Sequence, residues 1–228
     1  DENVFELIDG FPQLHQHRDA LIKIVRRYIR TPSFLVRFFP LEQRRLTADA
    51  FREAIDKPDQ SNLTLRELLH SFLGFLVDRC GEKEQGKYIE ALSGIQTGAH
   101  QGSEVIQSYT SDELQGDTPE GLVPNVRLVN GTTKSEARQR LMLAFNTPFY
   151  PEILIASSVM AEGVDLHLNC RYVIHHDLCW NPSALEQRTG RVDRIGAKVE
   201  RCGSPITVCM PYIAETQDEK MYRVVMDR

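Results

Sequence analysis

The 228-residue sequence has no long apolar run, no paired-cysteine motif and no excess of positive charge, and each absence removes a class of function. Its longest apolar stretches, such as Phe34 to Phe39 and Phe72 to Val77, are too short to cross a bilayer, so no membrane partner is predicted. The five cysteines include no C-x-x-C pair, so we expect reduced thiols in a cytoplasmic protein and no metal site. The formal net charge is −5, so contact with a polyanion would have to come from local clusters.

Two short elements that hold a nucleotide and magnesium in P-loop enzymes are also missing. No acidic D-E-x-x box follows an apolar strand. The segment Gly81 to Lys87 fits the pattern G-x-x-x-x-G-K, but Tyr88 stands where magnesium binding needs Ser or Thr. Its interior, Glu-Lys-Glu-Gln, is acidic in part, whereas a phosphate cradle needs backbone amides and little negative charge. We therefore reject a single-lobe P-loop enzyme.

The chain divides into three stretches of different character. Residues 1 to 95 are predicted to be mainly helical, as an insertion or subdomain, because apolar residues recur at helical spacing and Thr64 with Glu67 fits a capping box. Residues 96 to 124 are rich in small and polar residues, which predicts a flexible linker or loop. Residues 125 to 228 alternate strand and helix patterns, which predicts an α/β fold whose parallel sheet carries helices on both faces.

Individual elements of the last stretch can be placed. Strand patterns occupy 126–129, 152–156, 171–175 and 205–210, and the second of them is predicted to be buried. Thr133 is predicted to cap a helix, with Glu136 completing a capping box. Another helix is predicted from Pro182 to about Ile195, and a last one from Gln217. A strand that would open the sheet is harder to find, and 33–39 is one candidate.

The helix predicted from Pro182 carries an unusual set of cations. At 100° per residue it places three polar side chains on one narrow face: Gln187, Arg191 and Arg194. Another face of the same helix is apolar, and Arg188 lies near it. Its residues are Leu185, Val192 and Ile195. Arginine stays charged and offers a planar fork to phosphate oxygens, so the polar face suits a polyanion. For the arginines alone, a solvated helix face with ordinary ion pairs is the simpler interpretation.

The surrounding residues favour the polyanion. The segment Asp177 to Gly196 resembles the block D-x-x-W-N-P followed by Q-R-x-G-R-x-x-R-x-G of the SWI/SNF-type ATPases in helicase superfamily 2. Leu154 to Leu166 resembles that family's S-T-x-x-x-x-E-G-x-[ND]-L motif, with Ser158 in place of Thr. Ala197 departs from the family, which has Gln there. Further matches extend the resemblance to about 125–225: Val129 to Arg138, Phe145 with Asn146, and Thr216 to Tyr222.

The resemblance implies the second RecA-like lobe of a bacterial-type, ATP-dependent DNA helicase or translocase. Such a lobe closes on a first lobe of the same parent chain, which holds ATP and Mg²⁺, so this chain alone is expected to be inactive. The implied catalytic residues are the arginine fingers Arg191 and Arg194, with Gln187 beside them. The implied cofactor-binding residues are Gly163, Asp165 and Arg188, and Arg188 also ties its helix to the lobe. The implied nucleic-acid contacts are Ser157 and Ser158.

The resemblance also bears on partners and on alternatives. Double-stranded DNA is the expected partner, with RNA polymerase or another nucleoprotein complex as a further candidate. A catalytically degenerate lobe, used as a nucleic-acid or protein binding module, is the alternative. The sequence opens at Asp1 without Met, so we expect a piece of a longer chain.

Two smaller groups of residues have their own alternatives. His175 and His176 are predicted to make structural hydrogen bonds at a strand end, because no third metal ligand has suitable spacing. Six arginines make the N-terminal region locally basic and could touch DNA, or could form a solvated helix face: Arg26, Arg27, Arg30, Arg37, Arg44 and Arg45.

Overall fold

The computed structural model describes residues 2–31, 34, 37–38, 53–59, 61–94, 126–157, 165–176 and 178–227. The chain forms two compact units, Asp1–Ala156 and Ser157–Arg228. Within the described ranges, no helix has the length and apolar character that a bilayer crossing would need.

The first unit begins with helices. Their bounds are α1 (Glu2–Asp9), a 3₁₀ helix (Pro12–His17), α2 (Arg18–Tyr28), α3 (Leu65–Arg79) and α4 (Glu82–Ser93). The helices predicted in this region are therefore confirmed where the structure describes it. Phe34, Arg37 and Phe38 are also helical, so the strand considered at 33–39 is wrong for the described part of that segment. Phe34 and Phe38 are four residues apart and both buried, which is the spacing of one helix face.

Helix α3 starts at the capping box that the sequence predicts. The Thr64 hydroxyl accepts the Glu67 N–H at 3.1 Å, and the Glu67 carboxylate accepts the Thr64 N–H at 2.8 Å. Two backbone donors that would otherwise be unpaired at a helix start are thereby satisfied. The face that turns inward is apolar over the length of the helix: Leu65, Leu68, Leu69, Phe72, Leu73 and Leu76.

Helix α4 contains the segment that fits the phosphate-binding pattern. Gly81 is its N-cap residue, and the Glu84 carboxylate accepts the Gly81 N–H at 3.3 Å. Gly86 and Lys87 lie inside the helix, and Tyr88 is buried. The segment therefore begins a helix without a preceding strand and does not form a phosphate-binding loop.

An aromatic cluster joins the helices to the chain that follows α5 (Ser135–Phe145). The Tyr28 ring packs edge-on against Phe34, Phe149 and Tyr150, with ring centroids 5.3–5.7 Å apart. Phe149 also meets Phe72 of α3 at 5.8 Å. Edge-to-face pairs of this kind add about 0.5–1.5 kcal/mol each beyond the area they bury. The N-terminal helices and residues 144–150 thus share one hydrophobic core.

The described part of the same unit includes a parallel pair of strands, β1 (Val126–Val129) and β2 (Ile153–Ala156). Their register brings four aliphatic side chains onto one face: Val126, Leu128, Ile153 and Ile155. These side chains are 37–54 % exposed. The strand predicted at 152–156 is present, but the prediction that it is buried is wrong within this unit. A parallel strand is buried only when elements cover both faces of its sheet, and only Val129 at the end of β1 is fully buried here.

Helix α5 begins one residue later than the sequence predicts. Its N-cap residue is Lys134, because the Thr133 hydroxyl turns back and accepts the Asn130 N–H at 3.0 Å. The predicted capping box between Thr133 and Glu136 is therefore wrong. Glu136 instead lies 3.9 Å from Arg140, one turn further along the helix.

The second unit alternates strands and helices. Its elements are β3 (Tyr172–Ile174), α6 (Pro182–Thr189), α7 (Lys198–Cys202), β4 (Thr207–Cys209) and α8 (Gln217–Met226). Strands β3 and β4 are parallel, in a register that pairs Tyr172 with Thr207 and Ile174 with Cys209. Parallel pairing and strand–helix alternation agree with the predicted α/β class.

Candidate functional site

Helix α6 begins as the sequence predicts but ends earlier. Asn181 is its N-cap residue and accepts the Ser183 N–H at 3.1 Å, while Pro182 occupies the first turn. The last helical residue is Thr189, so the prediction of one helix up to Ile195 is wrong. The Thr189 hydroxyl donates back to Leu185 O at 3.1 Å, a side-chain bond that competes with continued helix.

The chain after Thr189 continues as tight turns. The Arg191 N–H donates to Arg188 O at 3.2 Å, and the Val192 N–H donates to Thr189 O at 2.9 Å. These three-residue steps are mixed with one four-residue step, from the Asp193 N–H to Thr189 O at 3.0 Å, so the regular α-helix does not continue. Gly196 then adopts a φ of +81°, which favours glycine and turns the chain away.

The early helix end changes where the motif side chains lie. Gln187 is exposed on α6, whereas Arg191 and Arg194 lie on the turns that follow. The single helix face predicted for these three residues therefore does not exist. Val192 is buried, as predicted for the apolar face, but Ile195 is 95 % exposed, which corrects its placement there.

A second segment, residues 165–168, runs beside these turns and is bonded to them through the backbone. The Leu166 N–H donates to Arg191 O at 3.0 Å, and the Lys198 N–H donates to His167 O at 2.9 Å. The Arg201 guanidinium donates to Leu168 O. These bonds hold the end of the motif Leu154 to Leu166 and the residues after it beside the end of the motif Asp177 to Gly196 and the residues after that.

One ion pair links candidate side chains from the two segments. The Arg194 guanidinium pairs with the Asp165 carboxylate, and Arg194 Nε donates to Gly190 O at 3.2 Å. The two side chains are 37 % and 53 % exposed, so water screens their attraction. Exposed pairs contribute about 0–1 kcal/mol, so a phosphate oxygen could compete for this arginine at small cost.

His175 connects the end of β3 to α6. Its Nε2 lies 3.2 Å from the Thr189 hydroxyl, and its backbone N–H donates to Cys209 O at 2.9 Å. The Thr189 hydroxyl already donates to Leu185 O, so the imidazole supplies the proton of the shared bond. The prediction of structural hydrogen bonds at this strand end is confirmed for His175. The hydrogen bond from His175 reaches Thr189, which lies inside the segment Asp177 to Gly196, and no pattern in the sequence predicts it.

Burial lowers the pKa of His175, and the nearby Arg188 lowers that pKa further. The folded second unit therefore favours neutral imidazole, and the unfolded chain binds more protons below the ordinary pKa of about 6.5. Stability of this unit should consequently fall as the pH drops through that value and stop falling below the lowered pKa. Burial also lowers the pKa of His167, which acts in the same direction.

Urea unfolding at a series of pH values would measure this dependence. Trp180 is the single tryptophan and lies in the second unit, so its fluorescence reports on that unit. His175→Gln should flatten the loss of stability as the pH falls through about 6.5. The exposed neighbour offers a matched control, His176→Gln, because its imidazole is not the one bonded to Thr189. An unaltered profile in His175→Gln would contradict the assignment.

The remaining candidate residues are placed only in part. Ser157 is exposed. Ser158, Gly163 and Asp177 lie outside the described residues. Among the residues that the structure describes, no group of three His, Cys, Asp or Glu side chains could hold a metal ion. All the described candidate site residues belong to the second unit.

Comparison with known proteins identifies the family that these motifs resemble. Residues 88–196 match the helicase conserved C-terminal domain. The chain is 47 % identical over 45 residues to the uncharacterized ATP-dependent helicase YqhH of Bacillus subtilis, covering 20 % of this chain and 8 % of that protein. It is 36 % identical over 72 residues to the RNA polymerase-associated protein RapA of Yersinia pestis, covering 32 % and 7 %. The matches thus span less than a tenth of either relative, and they confirm the resemblance to helicase-type proteins.

Proposed function

We propose, from the helicase conserved C-terminal domain that this chain carries at residues 88–196, that it is the second motor lobe of an ATP-dependent DNA helicase or translocase. The observation that supports this most directly is the pairing of Arg194 with Asp165. These residues come from two different motifs, and the ion pair with its backbone hydrogen bonds brings both motifs to one place. An arrangement of this kind suits a site that must sense a bound anion.

The proposed catalytic role falls to the two arginines of the turns. ATP with Mg²⁺, held by the first lobe, would supply the phosphoryl group that is transferred to water. Arg191 and Arg194 would stabilise the negative charge that spreads over the phosphoryl oxygens, and Gln187 would lie beside them. Asp165, Gly163 and Arg188 are proposed to contribute to the nucleotide side of the same site.

The position of Arg194 gives it two alternative anionic partners. In this structure it pairs with the Asp165 carboxylate, and solvent weakens the pair. A phosphate oxygen in a closed, drier site would offer it a stronger charge-assisted hydrogen bond. Exchange of partners would release Asp165 and alter the 165–168 segment, which is a physical route from nucleotide binding to the rest of the lobe.

The nucleic-acid part of the proposal rests on the serines that follow β2. Ser157 is exposed, and its neighbour Ser158 offers a second hydroxyl. Hydroxyl groups donate to phosphate oxygens and position a backbone without reading its sequence. Double-stranded DNA is the proposed track. RNA polymerase is a proposed partner of the parent protein, because RapA is polymerase-associated by name.

ATP hydrolysis by the full-length parent, measured with and without duplex DNA, tests the proposal. We expect turnover that rises when duplex DNA is added, and essentially none from the 228-residue chain alone. A parallel assay with duplex RNA would show which nucleic acid stimulates, and a strand-displacement assay would separate unwinding from translocation. A folded parent that hydrolyses no ATP under any of these conditions would overturn the motor function in favour of a degenerate binding module.

A further inference from the structure

The short helix α7 lies directly after the turns that carry the two arginines. Its N-cap residue, Ala197, has no polar side chain that could cap the helix. A carboxylate from the first turn of α7 reaches back across this junction, because the Glu200 side chain accepts the Gly196 N–H at 2.9 Å. We call this hydrogen bond the Glu200 bond. It connects the end of the arginine turns to the helix that follows them.

Gly196 is the residue at which the arginine turns could most easily change direction. Its φ of +81° lies in a region that glycine adopts without steric cost. A Cβ built on Gly196 would meet no described atom within 4 Å, and the preceding Ile195 is 95 % exposed. Packing against the described residues therefore does little to restrain this part of the chain, and the Glu200 bond supplies the restraint.

Arg194 lies in the same turn as Gly196. The Arg194 carbonyl accepts the Ala197 N–H at 3.0 Å, so the residues between these two groups form one closed turn. The Arg194 side chain extends from this turn, and its Nε donates to Gly190 O at 3.2 Å. A change in φ at Gly196 would open the turn and displace the Arg194 backbone. The Glu200 bond thus acts on Arg194 through the backbone.

The residue next to Glu200 bonds to the other motif segment. The Arg201 guanidinium donates to Leu168 O, at the end of the segment 165–168. Neighbouring residues of opposite charge on α7 therefore bond to the arginine turns on one side and to residues 165–168 on the other. Ala197, at the start of the helix, is fully buried, which anchors α7 within the second unit. The helix is thus placed to set the separation between the two motif segments.

We propose that Glu200 is a positioning residue that holds Arg194 in the orientation needed at the transferring phosphoryl group. This role rests on the proposed function and adds to it a residue that lies beyond the helicase C-terminal domain match at 88–196. A charge-stabilising group is most effective when it is already in place, because no reorganisation is then needed as the reaction proceeds. Glu200 would contact neither ATP nor DNA, and its contribution would be to keep Arg194 in place.

Glu200→Ala in the full-length parent is expected to lower kcat for DNA-stimulated ATP hydrolysis by about 10-fold. A misplacement of about 1 Å can cost on the order of 10²-fold, and we expect a smaller loss because Arg194 keeps its bond to Gly190 O. KM for ATP should stay at the wild-type value, because the first lobe holds ATP and the arginine acts in the transition state. A contribution of Glu200 to ATP binding would instead raise KM.

Two further variants separate the hydrogen bond from the charge. Glu200→Gln removes the charge but keeps an oxygen that can accept the Gly196 N–H, so it should keep most of the wild-type kcat. Glu186→Ala removes an exposed carboxylate from α6 and should turn over ATP like the wild type. Glu200 is itself exposed, so Glu200→Ala should leave the urea midpoint of the 228-residue chain, followed by Trp180 fluorescence, nearly unchanged.

Amide hydrogen exchange of the 228-residue chain gives a measurement that does not depend on ATP turnover. The peptide that contains residues 191–197 should exchange faster in Glu200→Ala than in the wild type, because local opening of the turn becomes easier. Glu200→Gln should exchange like the wild type. Unchanged exchange in Glu200→Ala would show that the Glu200 bond does not restrain Gly196, and would overturn the inference.

Three results of the turnover assay would also overturn the inference. They are a wild-type kcat in Glu200→Ala, equal losses of kcat in Glu200→Ala and Glu200→Gln, and a raised KM with an unchanged kcat. An inactive wild-type parent would remove the motor function and this role together. An active wild-type parent with an unaffected Glu200→Ala variant would remove this role alone.

Discussion

Arg191→Ala in the full-length parent is expected to lower DNA-stimulated ATP turnover by about 10³-fold or more, which is the usual cost of losing an arginine finger. Under the proposed function the loss is large because the charge on the transferring phosphoryl group would develop in a closed site that excludes water. The Arg191 carbonyl accepts the Leu166 N–H, and this backbone bond does not depend on the side chain. The variant should therefore keep the arrangement of the two motif segments.

Two companion variants decide how the Arg191 result is interpreted. Arg191→Lys keeps a charge but loses the planar fork, so it should restore only part of the rate. Arg223→Ala removes an arginine from α8 whose side chain is 73 % exposed, and it should turn over ATP like the wild type. Turnover of the parent would be measured together with Trp180 fluorescence of the 228-residue chain that carries the same substitution, so that misfolding is recognised. Wild-type turnover in a folded Arg191→Ala parent would remove Arg191 from the active site.

Phe149→Ala is expected to destabilise the first unit by about 3–5 kcal/mol, the range for a large aromatic side chain lost from a core. Phe149 is 3 % exposed and meets both Tyr28 and Phe72 in edge-to-face contacts. Its removal leaves a cavity between the N-terminal helices and the chain that follows α5. Because a whole domain is stable by only about 5–15 kcal/mol, this single change should produce a marked drop in the unfolding midpoint.

The two units give this measurement separate signals. Circular dichroism at the helical minimum reports mainly on the first unit, whereas Trp180 fluorescence reports on the second. Phe149→Ala should shift the dichroism transition in urea. Ile153→Ala removes a side chain that is 54 % exposed in the same unit and should cost less than about 1 kcal/mol. Equal shifts in the two variants would show that residues 144–150 do not belong to the helical core.

Prediction from sequence succeeds here where structure depends on neighbours along the chain. The capping box at Thr64 and the apolar face of α3 each depend on residues that are close together in the sequence, and both are observed. The bounds of β1 are likewise those of the apolar pattern. Thr133 fits the same capping pattern as Thr64, but its hydroxyl bonds to Asn130 in the preceding turn instead. A local pattern cannot decide between two partners that are both three residues away.

Burial and the site geometry depend on contacts that sequence spacing does not contain. The apolar pattern at 152–156 identifies a strand, but whether its faces are covered depends on other elements. A helical wheel placed Gln187, Arg191 and Arg194 together because it assumed a continuous helix beyond Thr189. Backbone hydrogen bonds connect residues 165–168 with residues 191–201, which are far away in the sequence, and no pattern of side chains predicts such bonds. The family motifs named candidate residues, and the structure shows how the described ones are arranged.

The shared aromatic core has a consequence for where this domain can be cut. The family match starts at Tyr88, in the middle of α4, so a fragment trimmed to 88–196 would lose α2, α3 and half of α4. Phe149 and Tyr150 would then present bare aromatic surface to water, and such surface promotes aggregation. The family match is therefore shorter than the chain that forms this hydrophobic core, and an expressed fragment should include the helices before residue 88.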